Sequence, residues 1–93
     1  MHYELAKLLE IVEETQFSDE LERLISDPIR ADEFVDGAKF MLARQPRIGT
    51  HIGNNVWFLP MSGESVSLYY SFDRDHVYLL SIVKTSEEEL EEE

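Results

Sequence analysis

The sequence predicts an α+β domain, a two-helix hairpin packed on one face of a small, largely antiparallel β-sheet. Three observations predict it. Val66, Leu68, Tyr70 and Phe72 alternate with Ser65, Ser67, Tyr69 and Ser71, a strict period of two. The run that follows the charged turn, Val77 to Val83, is apolar at nearly every position, as expected of a strand inside a sheet. Upstream, two segments carry apolar residues at helical spacing and supply a layer that can cover that sheet.

The elements can be justified in order. Leu5, Leu8, Leu9 and Val12 recur at i, i+3, i+4 and i+7, which favours a helix over the first fifteen residues. The same segment also reads as a strand with Leu9, Ile11 and Glu13 on one face, so periodicity alone leaves both open. In "FSDELERLISD" Ser18 is an expected N-cap, with Asp19 and Glu20 favouring the first turn through the helix dipole. This predicts a helix over Ser18–Ser26 with Leu21, Leu24 and Ile25 buried. Asp27-Pro28 predicts a new N-cap and first helical position, and Pro46 ends a second helix running over Pro28–Arg44. Its buried stripe is Phe34, Ala38, Met41 and Leu42, with Val35 beside it. Gly37 weakens it by about 1 kcal/mol relative to Ala unless a close helix approach requires it.

"RIGTHIGNN" reads as a loop and "VWFLPM" as a strand whose Pro60 belongs at an edge or near the strand's end. "SGES" is a turn, and Val66–Phe72 and His76–Val83 then form an antiparallel hairpin. The hairpin's alternation places Tyr70 in the core and Tyr69 on the outer face. In the last strand Val77, Leu79 and Val83 alternate with Tyr78, Leu80 and Ile82, so both faces are apolar.

Length and charge bound the function. The chain has 93 residues, which fits a single domain over residues 1–86 followed by an acidic tail, 87–93. Eight Lys and Arg stand against 20 Asp and Glu, a formal charge of −12; six of the acids lie in "EEELEEE", so the body without it is still at −6. Phosphate-backbone binding needs clustered cations, so non-specific nucleic-acid binding is disfavoured, and a basic protein suits this surface better. There is no cysteine, and His2, His51 and His76 show no metal-ligand spacing, so neither a metal nor a cofactor is expected. No long apolar run and no basic leader occur, which predicts a cytoplasmic protein with no membrane contact.

The polar residues that could carry chemistry are Arg44, Arg47, His51, Tyr69, Tyr70, Arg74, His76 and Lys84. In a chain this acidic the ordinary role of a cation is an ion pair, and Arg44 has an ordinary role in answering a helix dipole. A nuclease built from Arg47, His51 and His76 has no support from their spacing.

The order of elements, with "RQPRIG", "VSLYYS", "VYLLSIVK" and "TSEEEL" in turn, resembles the RelE/ParE toxin superfamily over about residues 9 to 90, the HigB-like branch most of all. The family has an x-N/D-P-x-x-G segment after a helix, a "RVIYYY" strand, an "IYLLxIYxK" strand and a "NEKEDL"-like tail. The resemblance implies a RelE-like fold with a strand, not a helix, from about Leu8 to Thr15. It implies a toxin of a bacterial toxin–antitoxin pair, neutralised by an antitoxin partner. Better-known members cleave messenger RNA on the ribosome by acid–base chemistry with Lys, Arg and sometimes Tyr or His, and ParE-like members act on gyrase. By approximate family position the catalytic candidates are Arg47, Tyr69, Arg74 and Lys84. Yet the family's cationic "GGxRKxRW" and "GKRGG" segments correspond here to "IGNNVWFLP" and "SGES", which contain no Lys or Arg. Without cations to hold the phosphate and its transition state, ribosome-dependent endoribonuclease activity is expected to be weak or absent. The other reading is a non-enzymatic protein-binding module that keeps the fold.

Overall fold

The computed structural model describes residues 8–61, 63 and 65–85. The alternative N-terminal helix falls partly, and the acidic tail 87–93 wholly, outside them. Five strands form one sheet in the order β1-β5-β4-β3-β2, namely β1 (Glu10–Glu13), β2 (Thr50–Gly53), β3 (Val56–Met61), β4 (Val66–Phe72) and β5 (His76–Lys84). Strand β1 runs parallel to β5, and the remaining neighbours are antiparallel. Helices α1 (Thr15–Leu24) and α2 (Pro28–Arg44) follow β1, and a 3-10 turn, Pro46–Ile48, joins α2 to β2.

Asp27 caps α2 as its sequence implies: its Oδ1 accepts from the Ile29 N–H at 3.0 Å, and Pro28 opens the helix. Arg44 closes it, donating to the Phe40 carbonyl at 2.9 Å with its guanidinium 3.7 Å above the Phe40 ring. Helix α1 departs from expectation. It begins at Thr15, because the Ser18 N–H already bonds the Glu14 carbonyl at 3.1 Å and Glu14 therefore holds the cap position. Ser18 lies inside the helix and its hydroxyl meets Glu13 at 3.5 Å. The earlier start seats Phe17, fully buried, in the core, and α1 ends at Leu24 with Ile25 buried just beyond it. The N-terminal strand is accordingly shorter than Leu8–Thr15: the Glu14 N–H makes the last bond to Leu79 before the chain turns helical.

The core lies between the helices and one face of the sheet, where Phe17, Ala38, Leu42, Leu68, Tyr70, Val77 and Leu79 are wholly enclosed. Strand β5 is interior, between β1 and β4. A β-bulge breaks its alternation. Tyr69 pairs with Ser81 and Tyr70 with Leu79, leaving Leu80 as the extra residue. The shift turns Ile82 into the core at 1% exposure and leaves Val83 at 36%, the reverse of simple alternation. Strand β2, expected to be loop, pairs with β3 through Thr50 and His51. Ser67, placed by alternation on the outer face, is nevertheless buried, with its hydroxyl 3.0 Å from that of Thr85.

Beyond Leu79, β5 has no strand on its β1 side among the described residues. Helix α1 covers that edge instead. One Glu20 carboxylate oxygen accepts from the Ile82 N–H at 3.0 Å and from the Ser81 hydroxyl at 3.1 Å. The Ile82 N–H, with smaller help from Gln16 and Ser81, holds the Glu20 carboxyl below the usual carboxylate range.

Candidate functional site

A cleft of about 560 Å³ opens where the end of α2 meets the β4–β5 turn. Its lining comes from Pro46, Arg47 and Ile48 in the 3-10 turn, from Phe72, Asp73 and Arg74 at the β4–β5 turn, and from Leu9 ahead of β1.

One wall is the 3-10 turn, and Tyr70 sets its position. The Tyr70 hydroxyl donates to the Pro46 carbonyl at 2.7 Å and accepts from the Gly49 N–H at 3.0 Å, so a core residue of β4 grips both ends of the turn. Burial pushes the Tyr70 phenol above its ordinary value, which keeps it a donor. Gly49 is required for close approach. A Cβ there would lie 2.6 Å from the Phe58 carbonyl oxygen and 2.7 Å from the Tyr70 hydroxyl.

The other wall is the β4–β5 turn. Asp73 Oδ1 accepts from the Asp75 and His76 N–H groups at 2.9 and 2.8 Å, and Oδ2 accepts from the Tyr78 hydroxyl at 3.2 Å. The two backbone donors in particular hold the Asp73 carboxyl below its usual range. The acid is thus absorbed by its own turn. His76 sits between Glu10, at 3.4 Å, and Asp73, at 3.6 Å, with its ring stacked on Tyr78.

The Arg47 guanidinium lies 5.5 Å from the centroid of the Phe72 ring, a cation–π distance. Neither Arg47 nor Arg74 forms an ion pair among the described residues, whereas Lys39 is bound to Glu13 at 3.0 Å.

The cleft therefore gathers two of the four sequence-predicted site residues, Arg47 and Arg74. It does not gather the others. Tyr69 lies on the opposite face of β4, its ring 5.1 Å from that of Phe58. Lys84 is exposed at the far end of β5, paired with Val66, and at about 3.3 Å per residue the strand separates it from Arg74 by roughly 30 Å. His51 stacks on Trp57 at 5.0 Å in β2, three strand positions or about 14 Å from β5 and His76. The trio Arg47, His51 and His76 is not a cluster. Among the described residues no group of His, Asp or Glu could hold a metal ion, and no helix is long and apolar enough to cross a membrane.

Chemically the cleft can bind an anion against an apolar floor. Among its described lining residues Asp73 is the one carboxylate, and three hydrogen bonds hold it in its own turn. Sequence reasoning missed Phe72, Asp73 and the role of Tyr70. Two signals for them were present: the Asx-turn pattern of "FDRDH", and the need of a buried tyrosine hydroxyl for a partner.

No known family profile matches the chain, and no curated protein matches it in sequence. Solved structures do match. The isolated RelE toxin of E. coli superposes over 88% of this chain and 89% of its own, with a TM-score of 0.66 at 15% identity. It is a RelE-type fold. A chain of the chromosomal ParDE toxin–antitoxin system of P. aeruginosa superposes over 86% of this chain and 99% of its own, with a TM-score of 0.60 at 11% identity. The two helices on a mostly antiparallel sheet expected from the resemblance are thus the architecture found.

Proposed function

We propose that this chain is a RelE/ParE-like toxin component of a bacterial toxin–antitoxin pair. In this reading it binds an antitoxin partner in the cytoplasm and lacks the ribosome-dependent messenger-RNA cleavage of the better-known RelE-like toxins. The RelE-type fold supports membership, and the pattern of "VYLLSIVK" and "TSEEEL" supports the HigB-like branch. The dispersal of Arg47, Tyr69, Arg74 and Lys84 over two faces and both ends of the sheet carries the argument against cleavage. Strand cleavage needs a base at the 2′-hydroxyl, an acid at the leaving oxygen and cations on the phosphate, all within one site. Removing a single electrostatic stabiliser from such a site slows it by about 10²–10³, and here several are apart. The acidic body adds repulsion toward RNA.

A second reading is a non-enzymatic module that retains the fold and binds a basic protein, favoured by the charge of −6 outside the tail. Induced expression in a bacterial host, with growth and messenger-RNA integrity followed together, tests both. Intact RNA is expected. Growth arrest relieved by co-expressing a small gene from the neighbouring reading frame supports the toxin component, and unimpaired growth supports the module. Rapid RNA cleavage that is lost in Arg47→Ala or Lys84→Ala would overturn the non-cleaving reading.

A further inference from the structure

We infer that the cleft between the 3-10 turn and the β4–β5 turn is a binding site for a small organic carboxylate with an apolar body. This goes beyond the toxin reading and does not rest on it. Arg47 and Arg74 line the same cleft, and neither has an ion-pair partner among the described residues. The one acid among the lining residues, Asp73, accepts from the Asp75 and His76 N–H groups and the Tyr78 hydroxyl. Two guanidinium groups are thus exposed at one cleft with no ion-pair partner among the described residues, and planar guanidinium is well matched to carboxylate. The lining also includes the apolar Leu9, Ile48 and Phe72. Half-buried Phe72 already supports Arg47 at 5.5 Å and offers a ring edge for an apolar body. The wall is fixed in advance, because Tyr70 holds Pro46 and Gly49 and no side chain fits at position 49. The volume of about 560 Å³ falls in the range of small-molecule sites, about 300–1,000 Å³.

Charge selects a small ligand over a polymer. The surrounding acidic body repels a nucleic acid or an acidic polypeptide through its summed charge. A monoanion meets the local pair of cations and loses little to the rest.

The test is an NMR titration of the ¹⁵N-labelled full chain with 2-naphthoate. Saturable shifts are expected at the amides of Ile48, Gly49, Asp73 and Arg74, with a Kd on the order of 1 mM for a ligand of this size. Arg47→Ala and Arg74→Ala should each weaken binding about tenfold, as should replacing naphthoate by its neutral analogue 2-naphthalenemethanol. Arg47→Lys should recover part of the loss, and Lys84→Ala should change nothing. An unchanged amide spectrum outside the cleft shows that the variants fold. Shifts that fail to saturate by about 10 mM, equal binding of the alcohol, or indifference to both arginine changes would overturn the inference. Tighter binding of uridine monophosphate, inorganic phosphate, a uridine-rich oligonucleotide or a Glu-rich peptide at these residues would also overturn it, in favour of a phosphate, RNA or peptide site.

Discussion

Tyr70→Phe isolates the contribution of one oxygen atom to the architecture of the cleft. The substitution preserves the ring, so the core around Leu68 and Leu79 keeps its packing and no sizeable cavity forms. It removes the donor to the Pro46 carbonyl and the acceptor for the Gly49 N–H, at 2.7 and 3.0 Å. Tyr70 itself is fully enclosed, while the turn it holds is partly open to water. Each bond lost in such a setting costs about 0.5–1.5 kcal/mol, so the pair sums to about 1–3 kcal/mol. At about 4–8 °C per kcal/mol for a domain of this size, the melting temperature should fall by at least 4 °C. Urea denaturation followed by tryptophan fluorescence measures the change, because Trp57 lies 6.4 Å from the Tyr70 ring. The midpoint should fall while the slope with urea stays constant. Hydrogen exchange at the Gly49 amide should accelerate in parallel. Tyr69→Phe is the internal control, since its hydroxyl has no partner among the described residues, and it should shift stability by less than about 0.5 kcal/mol. Equal midpoints for Tyr70→Phe and wild type, with Gly49 exchange unaltered, would refute the claim that Tyr70 fixes this wall.

Gly49→Ala should destabilise by about 1–3 kcal/mol, because the new methyl has to displace backbone at Phe58; a midpoint at or above wild type would show that the turn is looser than described. Gly37→Ala should do the opposite. Apart from the helix's own nearby backbone and the two chain neighbours, no atom lies within 4 Å of a Cβ placed there, so α2 should gain about 0.5–1 kcal/mol of stability, read from the same denaturation curve. Glu20→Gln tests the cover of the β5 edge. The Glu20 carboxyl titrates below its ordinary 4.5 in the folded chain, so its contribution is present above about pH 4.5 and is lost as pH falls through the folded value. The variant should be less stable than wild type at pH 7, and the two curves should converge as pH falls below 4.5 and through the folded value. A difference that persists or grows in acid would contradict the assigned role.

Much of the fold was legible because it is written in period. The Val66–Phe72 alternation and the apolar run after His76 place β4 and β5 correctly, and Asp27-Pro28 places the start of α2. What the sequence hid is what local pattern does not encode. The bulge at Leu80 exchanges Ile82 for Val83, and it is shaped by partners on both sides: Tyr69 and Tyr70 across the ladder, and Glu20 on α1, 62 positions away. Ser18 had the right chemistry for a cap, yet the burial of Phe17 drew the helix back by nearly a turn. The N-terminal segment was ambiguous because four residues of parallel strand leave too few alternations to outweigh a helical stripe. For the site, residue type indicated Arg47 and Arg74, but their meeting depends on the 3-10 turn lying against the β4–β5 turn, a long-range contact made by Tyr70.

The parallel pairing of the first strand with the last sets an order of events. Glu10 faces His76 across 66 positions, and among the described residues the ladder that starts there is the sole strand contact that β1 makes. Closing a loop of that length costs on the order of 4 kcal/mol in chain entropy, while the β4–β5 hairpin closes over a few residues. The hairpin is therefore the natural early structure, and β1 has nothing to join until β5 exists. During synthesis from the N-terminus, the β1 segment leaves the ribosome ahead of β5 and waits for its partner strand. Phe17 and the apolar side of α1 share that delay, since their seat is built from β5. A nascent chain arrested before His76 would display this surface without its cover.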